Sequence, residues 1–362
     1  MPPRVKFQPK RKGFEQVATR RYGGFSFPHP EKEPPMQTVT FDNKTVRLAA
    51  KALPILAPGE VLIQVRMAGI CNTDIELFKG YMKFSGIPGH EFVGRVVEAP
   101  DIPELLGKRV TAEINLGCGT CPTCRKYDAR HCPNRTTLGI AGKDGAFAEY
   151  VSVPASVVHV VPDEVSDPQA VFIEPLAAAL EPGQQLHLTA RQSVLVLGDG
   201  KLGILSACAL RYQCPDLVLA GKHPSKLGIA AAQGVATCHG ATPPGLTAAL
   251  LGQYGRFDVV IEATGRPDGL ACALDLVRPE GTVVLKTTTF APTTINMARL
   301  VVDEISLVGS RCGDFKLAEA YLRDRLVDVL PLVEATYPFA SFPEALAAAS
   351  RPGAMKVLVA FD

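Results

Sequence analysis

The chain has 362 residues, of which 47% are hydrophobic and 20% charged, and its formal net charge is +2. That length exceeds what one hydrophobic core fills, about 250–300 residues, so two domains are expected. The composition excludes a disordered chain and a disulfide miniprotein, and without an apolar run of about 18 residues a membrane-spanning helix is not expected.

Charge is unevenly placed. Residues 1–35 carry eight Lys/Arg against three Asp/Glu, with Lys10, Arg11 and Lys12 adjacent, and seven prolines. This head reads as an extension without a packed core. It supplies the one alternative to a cytoplasmic location, an organelle-targeting segment. The rest is mildly acidic, so no basic face calls for nucleic acid and no membrane partner is expected. Ten cysteines without a signal-peptide core point to a reducing compartment, where clustered cysteines are metal ligands more often than disulfides.

In chain order, "AGICNTDIELFKG" (68–80) offers Cys71 and Thr73, and "IPGHEFVGRVVEAP" (87–100) offers His90 and Glu91. Further on, "AVFIEPLAAAL" (170–180) sets Glu174 inside an apolar stretch. A carboxylate there must be paired, bind a metal or sit at a helix N-terminus, the last being open because Pro175 suits the first helical position. Cys71, His90 and Glu174 form a sulfur, nitrogen and oxygen set. Three protein ligands with one open position is the pattern of catalytic zinc. Glu91 is a possible further ligand, and Thr73 could hydrogen-bond a substrate hydroxyl.

Between these segments lies "NLGCGTCPTCRKYDARHCPN" (115–134), with Cys118, Cys121, Cys124 and Cys132 spaced C-x2-C-x2-C-x7-C. Four thiolates close a tetrahedron around zinc and leave no open position, so this site is structural. Gly117, Gly119, Pro122 and Pro133 suggest a tight lobe without regular structure.

Residues 192–234 read strand, turn, helix, strand. The strand is Val194–Leu197, and the turn Gly198-Asp199-Gly200-Lys201-Leu202-Gly203 is a G-x-G-x-x-G that opens a helix, the context of a dinucleotide site. The second strand ends in Gly221, followed by Lys222 and His223. With no carboxylate at that end to repel a 2′-phosphate, and with Ser225 near, the expectation is NADP(H) in preference to NAD(H). Apolar runs at 257–265, 281–289 and 304–313 read as further buried parallel strands.

Together "GICNTD", "GHEFVGRVVE", the cysteine lobe, "DGAFAEYVSVP" (144–154), "EPL" and "VLVLGDGKLG" resemble the zinc-dependent alcohol dehydrogenases of the medium-chain dehydrogenase/reductase family. The likeness runs over residues ~37–362, and "EPL" is closest to the polyol and sugar dehydrogenase branch. The resemblance implies an α/β protein with two parts. One is a mostly β, chaperonin-10-like (GroES-like) catalytic domain, 36–177 with 313–362; the other is a doubly wound Rossmann cofactor domain, 178–312. It implies that Cys71, His90 and Glu174, with Glu91 adjacent, hold a catalytic zinc, making two zinc ions per chain with the cysteine lobe. Thr264, Gly265, Thr287 and Ser310 to Cys312 would border the nicotinamide, and Lys356 would lie near the pyrophosphate.

The chain departs from the family at two places. Asn72 stands where an Arg often meets the pyrophosphate, and Glu76 stands where a His can extend a proton relay from Thr73. The resemblance offers Lys356 in place of that Arg. The implied activity is hydride transfer between NADP(H) and an alcohol, polyol or sugar or the matching carbonyl, by a homodimer or homotetramer. The alternatives are a metal-independent reductase of activated C=C bonds or quinones, and a non-catalytic cofactor-binding homologue.

Overall fold

Six parallel strands form one sheet in the order Ala236–His239, Val218–Gly221, Val194–Leu197, Phe257–Glu262, Val277–Leu285 and Ser306–Gly309. The computed structural model describes residues 35–42, 45–80, 84–288 and 293–361; the basic head lies outside them. Strand side chains alternate between faces, and a parallel sheet covered by helices buries both. Val194, Val196, Leu219 and Ile261 join one cluster with Leu180, Ile204 and Leu205. Leu195, Leu197, Val218 and Val260 join another with Leu246, Leu250 and Leu274. The unbroken apolar runs in the sequence follow from this two-sided burial.

The strand expected over 281–289 begins earlier, at Val277, and ends at Leu285. Its pairing slips between Phe257 and Val259, which admits the turn-like Arg278 to Gly281 into the element. Glu280, at φ 58°, takes up that irregularity.

A second sheet carries the strands Val158–Val160, Arg109–Ala112, Glu91–Glu98, Glu60–Ile70, Lys356–Ala360 and Val333–Pro338 in that order, with Tyr150–Pro154 also paired to Glu60–Ile70. The last strand of the chain runs antiparallel to Glu60–Ile70, with Val357 opposite Ile70. That return sets Lys356 beside residues almost three hundred positions earlier. Phe147 and Phe342 anchor this core with ring centroids 4.9 Å apart.

One helix, Ile173–Leu186, runs through the expected domain boundary at 177/178. Gly313 crosses it so closely that a Cβ there would stand 1.8 Å from the Ala177 carbonyl oxygen. The cysteine lobe rests on a small sheet of Asn115–Leu116, Thr136–Leu138 and Gly142–Lys143. It is not wholly irregular: Pro122–Lys126 forms a short helix capped by Cys121, because Pro122 at the first position has no N–H to leave unpaired. No helix among the described residues is long and apolar enough to cross a membrane.

Candidate metal and dinucleotide site

Strand pairing assembles the first cluster. Gly69 pairs with Glu91 across antiparallel strands, so the residue just past one strand, Cys71, meets the residue just before the other, His90. A Cys71 Sγ, a His90 ring nitrogen and a Glu91 carboxylate oxygen lie within 4.8 Å of one another. His90 and Glu91 are buried, at 3% and 1% exposure.

Asp74, which the sequence reading missed, sits behind them in the helix Asn72–Phe78. Its carboxylate accepts the Cys71 N–H at 2.8 Å, and its Oδ1 lies 3.4 Å from His90 Nδ1. Burial pushes the His90 pKa down, but Asp74 and, after it, Cys71 more than offset this and hold it well above the usual range. His90 Nδ1 and Asp74 Oδ1 are buried without a well-aligned hydrogen bond. A thiol, an imidazole with a carboxylate behind it and a second carboxylate are a donor set that suits zinc. The only signal for Asp74 in the sequence was the acidic residue in the first turn after Cys71. Thr73 Oγ1 is 3.7 Å from Cys71 Sγ.

Glu174 lies outside that 4.8 Å set. It occupies the first turn of Ile173–Leu186, so Pro175 is the third helical residue rather than the first. The charges of His90, Glu91, Lys356 and Lys286 all act on it; burial pushes its pKa up, and Glu91 adds to the rise.

The Glu91 carboxylate accepts a hydrogen bond from the Lys356 ammonium, and both are buried. Lys356 is thus held against Glu91, while Asn72, where the family often has an Arg, is exposed. Lys201 is the cation at the dinucleotide turn. It opens the helix Lys201–Leu210 and is partly buried. Burial and Lys356 push its pKa down to about 8, while Cys71 and Glu91 pull the other way. Glu76 pairs with Lys79 at 2.8 Å on the surface.

In the glycine-rich turn, a Cβ on Gly203 would fall 1.9 Å from the Gly198 carbonyl oxygen, and one on Gly198 would fall 2.6 Å from the Ala263 carbonyl oxygen. Those two glycines are demanded by the fold. A Cβ on Gly200 would meet nothing within 4 Å, so that glycine faces open space. Leu202 packs against the core.

The end of the second strand corrects the sequence reading. A carboxylate is present there, and it comes from the turn. Asp199 accepts the Lys222 N–H at 2.8 Å and the His223 N–H at 2.6 Å, and its two oxygens lie 3.1 and 3.0 Å from His223 Nδ1. Gly221 leaves room for it.

Along the remaining strand ends, Thr264 donates its N–H and hydroxyl to Glu262, and Thr287 Oγ1 accepts the Gly265 N–H at 2.9 Å. Ser310 accepts from Lys286 Nζ at 3.3 Å, and that ammonium also donates to the Ala178 carbonyl at 2.7 Å. Burial pushes Lys286 down to about 8, with Glu174 pulling against it. Nothing in "VVLKTTT" distinguished this buried lysine from a surface one.

The cysteine lobe forms a separate cluster. Cys118, Cys121 and Cys132 Sγ atoms are 3.6 Å apart along the chain of contacts 121–132–118; Cys124 is 3.6 Å from Cys121 and 4.0 Å from Cys118. A tetrahedron with Zn–S near 2.3 Å has edges of about 3.8 Å, so the four sulfurs fit a zinc ion closely. The Thr120 N–H and hydroxyl hold Cys118 down to about 5, whereas burial lifts Cys124 to about 12.

Comparison with known proteins agrees with both parts. Residues 57–163 match the alcohol dehydrogenase GroES-like domain, and residues 203–330 match the zinc-binding dehydrogenase domain. The L-threonine 3-dehydrogenase of Chelativorans sp. (strain BNC1) is 34% identical, over 64% of this chain and 70% of that protein. The erythritol/L-threitol dehydrogenase of Mycolicibacterium smegmatis is 31% identical, over 74% and 81%. A zinc-binding dehydrogenase of Sinorhizobium meliloti 1021, solved bound to NADP, superposes with a TM-score of 0.81 at 27% identity and covers 91% of this chain and 100% of its own. The parallel sheet, the two clusters of donor side chains that fit a metal and these relatives together place the chain in the family of zinc-type alcohol and polyol dehydrogenases.

Proposed function

We propose that this protein transfers a hydride between a nicotinamide dinucleotide and a small alcohol, polyol or hydroxy-amino-acid substrate and its carbonyl counterpart, with zinc at the Cys71 cluster. The observation that carries this reading is the gathering of Cys71 Sγ, a His90 ring nitrogen and a Glu91 carboxylate oxygen within 4.8 Å of one another. The charges of Cys71 and Glu91 act on Lys201, which opens the helix after the glycine-rich turn, and this supports reading the turn and the cluster as one site.

Zinc held there would act as a Lewis acid toward the substrate oxygen. The chain's residues do the rest. Cys71 and His90 are the ligands we assign first, with Glu174 and Glu91 as the carboxylates at hand. Asp74 fixes the orientation of His90. Thr73, beside the Cys71 sulfur, is placed to hand a proton to or from the substrate hydroxyl. Lys201 and the free N–H groups of its helix receive the pyrophosphate, and Gly200 lets it approach. Thr264, Gly265 and Ser310 line the strand ends toward the nicotinamide. Cys118, Cys121, Cys124 and Cys132 would hold a second, structural zinc. The relatives' names favour polyol and 3-hydroxy-amino-acid substrates over long-chain alcohols. A reductase of C=C bonds without metal has no use for the buried Cys71–His90–Asp74 arrangement.

The test combines metal content with a substrate screen on protein purified without chelator. Two zinc equivalents, with turnover of a polyol or L-threonine that vanishes in Cys71→Ser, are expected. Turnover that survives Cys71→Ser, or dinucleotide-dependent reduction of an enone by zinc-free protein, would overturn the reading.

A further inference from the structure

We infer that Asp199 reads the adenosine ribose of the dinucleotide, and that this makes the site select NAD(H) against NADP(H). The inference rests on the proposed dinucleotide site and adds to it the residue that decides which cofactor enters.

In a doubly wound nucleotide fold, a carboxylate at the end of the second strand accepts the ribose 2′-hydroxyl, and its absence with nearby cations admits a 2′-phosphate. Gly221 stands at that strand end and has no side chain. Asp199 supplies the missing group from the first strand's turn. A Cβ built on Gly221 would lie 2.4 Å from the Asp199 Cβ and 2.5 Å from its Oδ2. The Asp199 side chain therefore fills the space that a side chain at position 221 would otherwise occupy. Gly221 and Asp199 together rebuild the acidic strand end.

Two details set the sign of the preference. The backbone N–H groups of Lys222 and His223, which could cradle a phosphate, are both given to Asp199 Oδ2, at 2.8 and 2.6 Å. A 2′-phosphate would find those donors taken and a carboxylate facing it. Asp199 Oδ1, by contrast, has only the His223 ring, at 3.1 Å. A carboxylate oxygen has two lone-pair sites, so it can still accept a ribose hydroxyl. Asp199 is 7% exposed, so its charge is poorly screened from a neighbouring phosphate. The His223 ring is tied to Asp199, while Lys222 beyond the strand end is exposed to solvent.

The experiment is a titration of the full-length protein with NADH and, separately, NADPH, followed by nicotinamide fluorescence. The wild type is expected to bind NADH at least about tenfold more tightly. In Asp199→Asn, which keeps the shape and one acceptor but loses the charge, the preference should fall by about tenfold, chiefly through tighter NADPH. Gly221→Ala, which leaves no room for Asp199, should weaken NADH. A wild type that binds NADPH as tightly as NADH or more tightly overturns the inference while leaving the dehydrogenase reading intact. So does a preference unmoved in a folded Asp199→Asn. Binding of neither dinucleotide would overturn both. Should Asp199→Asn fail to fold, the wild-type ratio and Gly221→Ala still decide.

Discussion

The Lys356 ammonium is buried against the Glu91 carboxylate, two residues 265 positions apart joined in the interior of one sheet. Gly69, between them, leaves the room: a Cβ there would stand 2.7 Å from Glu91 Oε2 and 3.3 Å from the Lys356 side chain. Both charges are out of water, so the pair carries a large desolvation cost that only its mutual attraction offsets. Lys356→Met should therefore destabilise the protein by about 3–5 kcal/mol, and Glu91→Gln/Lys356→Met by less than the sum of the single changes. Urea unfolding of the three variants checks this; additive losses would mean the two charges are not coupled.

The glycine-rich turn separates a folding demand from a binding demand. Gly203→Ala drives a Cβ into backbone and should leave little folded protein. Gly200→Ala meets open space and should fold normally, but the added methyl stands where the pyrophosphate comes closest, so dinucleotide affinity should fall by about tenfold or more. Thermal melts alongside NADH titrations distinguish the two. Unchanged NADH affinity in Gly200→Ala would place the pyrophosphate elsewhere.

For the cysteine lobe, Cys132→Ser should lose one zinc equivalent and lower the melting temperature, because binding energy at a closed thiolate site is folding energy. Cys132 is fully buried, so chelator should act on the wild type only slowly. Metal analysis and melting curves give the answer; full zinc occupancy in Cys132→Ser would show that three sulfurs suffice or that the lobe is not the site.

His159 predicts a pH dependence away from the active site. Burial pushes its pKa down, but Glu113 at 3.4 Å and Glu319 at 3.3 Å more than offset this, and the pKa rises to about 9. The folded state thus holds this proton more tightly than the unfolded state does, with its ordinary value near 6.5. The stabilisation is complete below about pH 6.5 and fades as pH rises toward about 9, by at most about 3 kcal/mol. His159→Gln should flatten that part of the stability profile. A slope between these pH values that is the same in wild type and variant would remove His159 as its source.

The sequence by itself determined the strand–turn–helix of the dinucleotide part, because buried parallel strands need unbroken apolar runs and the turn needs Gly198 and Gly203 at positions where a Cβ collides with backbone. It also determined the cysteine lobe, whose ligands are close in sequence; Cys71 and His90 were grouped by ligand type and resemblance, and strand pairing in the structure is what brings them together. What it could not show is where side chains from distant segments meet. Lys356 reaches Glu91 only because the last strand returns beside Glu60–Ile70. Asp74 and Lys286 read as surface charges until burial is known. Asp199 reads as a filler residue inside a motif until the parallel pairing of the two neighbouring strands sets its carboxylate beside Gly221 and Lys222. The sequence shows that the second strand ends without an acid; only the tertiary structure shows an acid standing there, because a side chain's partners are set by strand packing in space and not by its neighbours along the chain.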